Sequence, residues 1–188
     1  MMILILSDLI EVWSARSDER YVGVYNYLYR GSEWYENLTY ISSSPQDYVD
    51  FGLYYAISDN TKGYGFYGIF ESFRNEKTSF GFQIDISYFN EIDVSAGILY
   101  EYYIWKFANY LNGIYSPKTN EYFLGYGLEF WLIDNFSIGF EFIRQNNTTT
   151  YSPQVYFLYR FIDLNFSYRI SDERFYAIYL GLTFPYNF

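Results

Sequence analysis

The chain has 188 residues, a formal net charge of −10, and neither cysteine nor histidine. These absences exclude disulfides, thiolate and imidazole metal ligands and Ser-His-Asp hydrolysis, and the acidic balance argues against nucleic acid, whose phosphates need Lys and Arg. Aromatic residues make up 26% of the chain and charged residues only 18%, an unusual composition for a globular protein.

The N-terminal residues have neither the pattern of a signal peptide nor that of a membrane-spanning helix. Residues 1–6 form a short apolar run without a preceding Lys or Arg, and Asp8 and Glu11 follow it closely. A signal peptide needs a basic start and a longer apolar core. We interpret residues 1–188 as a single domain, with residues 1–8 as a candidate N-terminal extension.

Alternation with a period of two runs through most of the sequence. In residues 80–88 every second position is apolar, and Gly, Gln, Asp and Ser occupy the positions between. The same pattern recurs in residues 122–132, 136–142 and 176–188. Such alternation predicts β-strands that have two different faces.

The character of the two faces favours a membrane barrel over a soluble sandwich. The four apolar faces contain no charge or amide, whereas the opposite faces carry Gly, Ser, single carboxylates and few lysines. A sandwich would bury its apolar face in a shared core. Strands that are apolar outside and polar inside, and that close because lipid cannot satisfy free backbone groups, are typical of a transmembrane antiparallel up-and-down β-barrel. The predicted fold class is therefore all-β.

Twelve strands fit the chain, and ten or fourteen are the alternatives because alternation is weaker near the N-terminus and in residues 64–73. The candidate strands lie near residues 8–16, 20–30, 34–42, 48–57, 64–73, 79–89, 94–106, 119–132, 136–144, 151–161, 163–170 and 175–187. An even number places both termini on one side, taken here as periplasmic. The connections predicted to face outward are residues 17–19, 43–47, 74–78, 107–118, 145–150 and 171–174.

The last candidate strand ends in alternating hydrophobic residues and a terminal aromatic. This pattern resembles the C-terminal β-signal of bacterial outer-membrane β-barrel proteins. The resemblance implies an integral outer-membrane protein that the outer-membrane assembly machinery inserts by reading this strand. The residues that would form the signal are Tyr179, Gly181, Phe184, Tyr186 and Phe188.

Ionisable residues on the inferred inward faces are the candidate functional residues. Acidic side chains lower the cost of a cation inside a pore, so they favour a cation-preferring channel. The alternative is a salt-bridged plug that only neutralises buried charge. The predicted lumen-lining residues are Glu11, Asp50, Asp85, Glu101, Glu129, Glu141, Arg30, Arg160 and Arg169.

Large aromatic residues also occupy predicted inward positions. An aromatic track could stack sugars during passage, because each ring presents a broad apolar face with a polar edge. We favour the alternative, in which the rings fill the lumen and pack over inward glycines. The aromatic residues concerned are Tyr54, Tyr103, Trp105, Trp131, Tyr156 and Tyr179.

Most basic residues fall near the predicted external connections. Arginine binds phosphate in a bidentate manner, which predicts contact with lipopolysaccharide at the external rim. The alternative is that long cationic side chains extend to the membrane interface without a specific ligand. The residues in this group are Arg16, Arg20, Arg74, Lys77, Lys106, Lys118, Arg144, Arg169 and Arg174.

Three functions fit these patterns. The leading interpretation is a small passive channel, or porin, for ions or small solutes, embedded in outer-membrane lipid. The second is a non-conducting barrel that serves as a structural or accessory subunit of an outer-membrane assembly, with a protein partner at its loops. The third is a soluble lipocalin-like carrier, which would need a polar exterior. No enzymatic activity, cofactor or metal is expected, because no carboxylate pair is marked by its spacing.

Overall fold

The computed structural model describes residues 21–46, 49–59, 61–75 and 77–185. These residues form twelve strands joined by connections of two to four residues. The strands are β1 Tyr21–Arg30, β2 Tyr35–Gln46, β3 Val49–Ser58, β4 Lys62–Arg74, β5 Thr78–Tyr88, β6 Ile92–Ile104, β7 Phe107–Ser116, β8 Glu121–Ile133, β9 Phe136–Gln145, β10 Thr148–Tyr159, β11 Ile162–Ile170 and β12 Arg174–Pro185.

The strands form one closed antiparallel barrel in which each strand pairs with its neighbours in sequence. Strand β1 closes the barrel against β12 over ten residue pairs, from Tyr21 opposite Pro185 to Arg30 opposite Tyr176. The predicted twelve-stranded up-and-down barrel is confirmed. Among the residues that the structure describes, none belongs to a helix with the length and hydropathy of a membrane span.

The barrel turns its apolar face outward. In β5, Ile84 and Ile86 each remain 46% exposed, whereas Asp85 between them is 1% exposed. Every strand has this alternation, so a belt of Leu, Ile, Val, Phe and Tyr surrounds the barrel. An apolar exterior of this extent requires a lipid environment, which excludes the soluble carrier.

One predicted external loop is a strand of the barrel. Residues 107–118 were expected to form a long loop, yet β7 occupies most of this segment and pairs with both β6 and β8. Its alternation is blurred because outward Asn109 and Gly113 are polar or small, while inward Tyr110 and Ile114 are large. The expected strand at residues 8–16 lies outside the described residues. The predicted number of strands, twelve, is therefore correct, but β7 takes the place of the strand expected at residues 8–16.

The additional strand also corrects the grouping of the connections. We call the end with Tyr21 and Pro185 the terminal end, and the end with Arg30 and Arg174 the far end. The connections around 43–47 and 74–78 lie at the terminal end, whereas those around 145–150 and 171–174 lie at the far end. All four connections were expected at the same end of the barrel. Because β7 is one more strand between the first two connections and the last two, it places the two pairs at opposite ends.

The basic residues expected on one rim are therefore divided between the two ends. Lys77 and Lys106 lie at the terminal end, and Lys118, Arg144 and Arg174 lie at the far end. Arg74 and Arg169 lie on inward faces. Arg16 and Arg20 are outside the described residues. Among the residues that the structure describes, neither end carries the concentrated basic rim that the sequence predicted.

Candidate functional site

The lumen of the barrel gathers one side chain from every second position of all twelve strands. Because residues i and i+2 of a strand share a face, each strand contributes four to six inward side chains. These side chains are mainly aromatic on one side of the lumen, while carboxylates and amides occupy much of the remainder. The lumen is the candidate functional site.

One side of the lumen is filled by tyrosines, which we call the aromatic wall. The rings of Tyr25 and Tyr40 stack with centroids 4.8 Å apart, and those of Tyr27 and Tyr179 lie 4.6 Å apart. These side chains are 2% exposed or less, so they pack against one another. The wall consists of Tyr25, Tyr27 and Tyr29 from β1, Tyr40 from β2, Tyr54 from β3, Tyr67 from β4 and Tyr179 from β12.

Inward glycines make room for these rings. A Cβ atom on Gly65 would overlap the ring of Tyr54, and one on Gly127 would overlap the ring of Tyr110. Each glycine lies directly opposite its tyrosine on the neighbouring strand. This arrangement supports the interpretation in which the rings fill the lumen.

Carboxylates enter the lumen from eight of the twelve strands. Eight of these side chains are at most 8% exposed, and Glu121 and Glu129 are half-buried. Arg74 and Arg169 are the inward basic side chains within the described strands. The lumen therefore has many more acidic than basic side chains. The carboxylates are Glu36, Asp50, Glu71, Asp85, Asp93, Glu101, Glu121, Glu129, Glu141 and Asp163.

Hydroxyl groups donate hydrogen bonds to several of these carboxylates. Tyr103 donates to Glu101 at 2.8 Å, and Ser137 donates to Glu129. The other hydroxyl pairs are Tyr54 with Asp85 at 3.1 Å, Ser116 with Asp93 at 2.8 Å and Thr183 with Asp163 at 3.2 Å. These donors are neutral, so they satisfy carboxylate oxygens without adding a positive charge to the lumen.

Arg169 places a positive charge deep in the lumen. Its side chain is 1% exposed, and its terminal nitrogen lies 3.9 Å from a carboxylate oxygen of Glu141. The guanidinium also lies over the ring of Tyr29, 5.4 Å from the ring centroid. In the register of β12, Ala177 lies opposite Tyr29, and Phe175 lies opposite Arg169. Arg169 thus links the acidic part of the lumen to the aromatic wall.

Several carboxylates converge near the terminal end around Arg74. A bulge between Glu71 and Phe73 adds one residue to β4, so Glu71 and Arg74 both face inward and form an ion pair of 2.6 Å. Ser79 of β5 lies opposite both Arg74 of β4 and Glu101 of β6, so these two side chains enter the lumen in one row. One guanidinium therefore faces several carboxylates at this end.

The most accessible inward side chains lie on β8, β10 and β11 near the same end. Trp131 packs edge-on against Tyr156 with centroids 5.7 Å apart. Asn165 donates to Gln154 at 3.2 Å, and Gln154 donates to the Tyr110 hydroxyl at 3.1 Å. The side chains of Trp131, Gln154, Tyr156 and Asn165 are half-buried, so this part of the lumen is open to water.

Two amides in the middle of the lumen have no hydrogen-bond partner among the described residues. Gln83 on β5 and Asn112 on β7 are each 1% exposed, and neither the nitrogen nor the oxygen of either amide contacts a protein donor or acceptor. The hydroxyl of Ser95, on the intervening strand β6, is also buried without a hydrogen-bond partner among the described residues. These three side chains form a buried polar patch on the lumen side of β5, β6 and β7.

The structure separates the residues that were predicted to line the lumen. Asp50, Asp85, Glu101, Glu129, Glu141 and Arg169 face inward. Arg30 does not, because β1 directs its odd-numbered residues inward and leaves Arg30 exposed at the strand end. Arg160 is an exposed turn residue with φ 55°, stacked on Tyr159. Glu11 lies outside the described residues.

The predicted list of lumen-lining residues omitted several inward residues. Asp93 and Asp163 alternate correctly with apolar neighbours and could have been found from that signal. Gln83 was placed on the polar face of its strand but was not named as a candidate. Asn112 was missed because its segment was expected to be a loop. Trp105, expected inward, is 81% exposed in the turn between β6 and β7.

The residues of the predicted assembly signal divide between the two faces of β12. Tyr179 and Gly181 face the lumen, and Phe184 lies on the outer face with 53% exposure. Tyr186 and Phe188 lie outside the described residues. Recognition of this strand by an assembly machinery stays a prediction.

Comparison with known proteins relates this geometry to solved barrels. No protein-family model matches the sequence, and no curated protein matches it. The KdgM porin superposes with a TM-score of 0.76 at 9% identity, over 87% of this chain and 99% of the porin. The KdgM porin in complex with disordered oligogalacturonate gives a TM-score of 0.72 at 8% identity, over 89% and 99%.

Two further barrels superpose over most of their length. The NanC porin has a TM-score of 0.65 at 9% identity, over 86% of this chain and 98% of the porin. An outer membrane channel from Pseudomonas putida F1 has a TM-score of 0.62 at 10% identity, over 88% and 96%. This chain has the fold of bacterial outer-membrane β-barrels. At such low sequence identity the structural similarity shows the fold alone, and the solute has to be inferred from the side chains of the lumen.

Proposed function

We propose that the protein is a narrow passive channel of the bacterial outer membrane that passes small cations and small polar solutes. The observation that carries this proposal is the presence of Gln83 and Asn112 in the middle of the lumen without protein partners among the described residues. Buried polar groups in native proteins bond to protein or to ordered water. A hydrated path past these amides satisfies them and supplies the route for ions.

The sign of the lumen charge supports a preference for cations. Ten inward carboxylates face two inward arginines within the described strands. A carboxylate roughly 8 Å from the path attracts a monovalent cation by about 2 kcal/mol at an effective dielectric constant near 20. The same field raises the barrier for an anion.

The charge of the lumen also argues against passage of the solute that was found with one structural neighbour. The KdgM porin was solved with oligogalacturonate, a polymer that carries a carboxylate on each sugar. That neighbour supports the idea that barrels of this shape admit solutes. In this chain a polyanion would meet an excess of carboxylates, so we expect it to be excluded.

The aromatic wall favours a second candidate function. Its rings are packed with little exposure and occupy one side of the lumen. If they close the path, the barrel does not conduct and serves as a structural or accessory subunit of an outer-membrane assembly. Conductance distinguishes the two functions.

The test is single-channel recording of the refolded protein in a planar bilayer under a KCl gradient. We expect discrete steps and a reversal potential that favours potassium. The double variant Glu101→Gln and Glu129→Gln should lower the potassium-to-chloride permeability ratio by roughly tenfold, because it removes two lumen charges and keeps both side-chain shapes.

The matched control is Asp134→Asn, the same chemical change at an exposed turn residue near the terminal end. It should leave the permeability ratio unchanged. A barrel that is folded and inserted but silent would overturn the channel and favour the accessory subunit. Conduction with an unchanged reversal potential in the double variant would show that the path avoids these carboxylates.

A further inference from the structure

A polar cluster interrupts the apolar outer belt at β1 and β2. Asn26, Asn37 and Thr39 lie on the outward faces of these strands and are half-buried against one another. We call them the Asn cluster. Thr39 lies directly opposite Asn26 in the register, and Asn37 lies opposite Leu28. Another outward amide, Asn109, lies on β7, six strands away.

Hydrogen bonds within the cluster are reciprocal. The amide nitrogen of Asn26 donates to the side-chain oxygens of Asn37 at 3.0 Å and Thr39 at 2.9 Å, and to the backbone oxygen of Leu38 at 3.3 Å. Asn37 donates back to the oxygen of Asn26 at 3.2 Å. The hydroxyl of Thr39 donates to the Asn37 oxygen at 3.3 Å.

The cluster retains bonding capacity of both kinds. A side-chain amide has two N–H donors and an oxygen with two lone pairs. The bonds within the cluster use one N–H of Asn37 and one lone pair on the oxygen of Asn26. One N–H of the Asn37 amide and one lone pair on the Asn26 side-chain oxygen remain available for a further hydrogen bond, side by side on the outer surface.

The Asn cluster lies where lipid would surround it, so its unused hydrogen-bond donor and acceptor cost free energy. Asn26 is the sixth of the ten residues of β1, so it lies near the middle of the belt. Apolar outward residues surround it, including Val24, Leu28 and Ile41. Acyl chains offer no donor or acceptor, and polar groups in hydrocarbon gain free energy by bonding across a protein interface.

We propose that the Asn cluster is the centre of a self-association surface, occupied in the membrane by the same surface of a second copy of this chain. A two-fold axis through the cluster would place the remaining donor of each Asn37 opposite the remaining acceptor of the other copy's Asn26. The pair is complementary to itself under this symmetry, as a closed dimer interface requires. Val24, Leu28 and Ile41 would form the apolar surround.

The test uses the absence of cysteine from the chain. A Leu28→Cys variant places one thiol beside the cluster, where two-fold symmetry brings the two copies together. The control is Leu111→Cys on β7, six strands away on the opposite side of the barrel. Leu28 and Leu111 are matched in type and exposure, at 39% and 38%. Both variants are refolded into phosphatidylcholine vesicles at low protein density and oxidised.

We expect a disulfide-linked dimer from Leu28→Cys at several times the yield from Leu111→Cys. Adding Asn26→Val to Leu28→Cys should reduce the dimer yield by roughly tenfold, because two interfacial hydrogen bonds are lost. Adding Asn109→Val instead removes an outward amide on the opposite side of the barrel and should leave the yield unchanged. Thr39→Val, which keeps the side-chain shape, provides a second disruption if Asn26→Val does not fold, as judged by heat-dependent gel mobility.

Two results would overturn the proposal. Equal cross-linking at positions 28 and 111 would show random collision in the bilayer. Preferential cross-linking at position 28 that survives both Asn26→Val and Thr39→Val would show that another feature of this surface drives association. Channel conductance does not enter either readout, so the proposal stands or falls independently of transport.

Discussion

Tyr110 and Gly127 show at the scale of single residues how the lumen accommodates large rings. The Tyr110 ring lies over the backbone of Gly127, and its hydroxyl accepts a hydrogen bond of 3.1 Å from Gln154. The ring is therefore fixed at both ends. Inward glycine at this position is a packing requirement, since any side chain would occupy the same volume as the ring.

Replacement of Gly127 by alanine should destabilise the barrel by about 1–3 kcal/mol, the usual cost of overpacking. The added methyl must displace the ring and weaken its bond to Gln154. The control is Gly113→Ala on the outer face, where the nearest atom to a new Cβ is Leu124 Cδ1 at 3.7 Å. Urea unfolding in detergent, followed by tryptophan fluorescence, measures both variants. Equal stability losses would contradict this account of the lumen.

At the scale of the element, β7 shows the limit of a binary apolar pattern. Its outward positions include Asn109 and Gly113, and its inward positions include Tyr110 and Ile114. Asn109 is tolerated because it donates to the backbone oxygen of Tyr102 and accepts from the hydroxyl of Tyr126. Pairing with β6 and β8 compensates for the weak alternation of this strand.

If β7 crosses the membrane, Leu111→Arg should destabilise the folded barrel by roughly 2–4 kcal/mol, the cost of an arginine at the middle of the bilayer. Leu111 is the fifth of ten strand residues and faces outward with 38% exposure. Asn147→Arg, at an exposed turn, should have little effect. Refolding yield into vesicles and unfolding in urea measure the difference. A neutral Leu111→Arg would place residues 107–116 outside the membrane.

At the scale of the whole molecule, closure and filling together determine what can pass. The strands leave no free edge, because β1 pairs with β12 along its full length. The aromatic wall occupies one side of the enclosed space, and the amides and carboxylates border the remainder. Under the proposed function, a path bordered by these polar side chains would be narrow, so selection by size should accompany selection by charge.

Vesicles that contain the refolded protein should therefore pass potassium but exclude disaccharides and larger sugars. We expect potassium efflux well above that of empty vesicles, and no osmotic swelling above background in maltose or oligogalacturonate. Efflux and swelling are measured on the same preparation, so a failure of insertion would abolish both. Swelling in maltose would contradict the narrow path and indicate that the aromatic wall moves aside or binds sugar.

Much of the candidate site could be predicted from the sequence. Asp85 was placed inside because Ile84 and Ile86 alternate with it, and the structure has it there. Arg30 was misplaced because β1 has aromatic and apolar residues on both faces, so its phase was ambiguous. The Asn cluster could not be anticipated, since Asn26 and Asn37 meet only through the register between β1 and β2.

The sequence by itself determined the all-β class, the two-faced strands, the acidic interior and an apolar exterior suited to lipid. Period-two alternation is a property of neighbouring residues, and any strand with that pattern has those two faces. The tertiary structure alone decided that residues 107–116 cross the barrel, which connections share an end, and which polar groups meet. Those features depend on hydrogen bonding and packing between strands, which the order of residues within one strand does not encode.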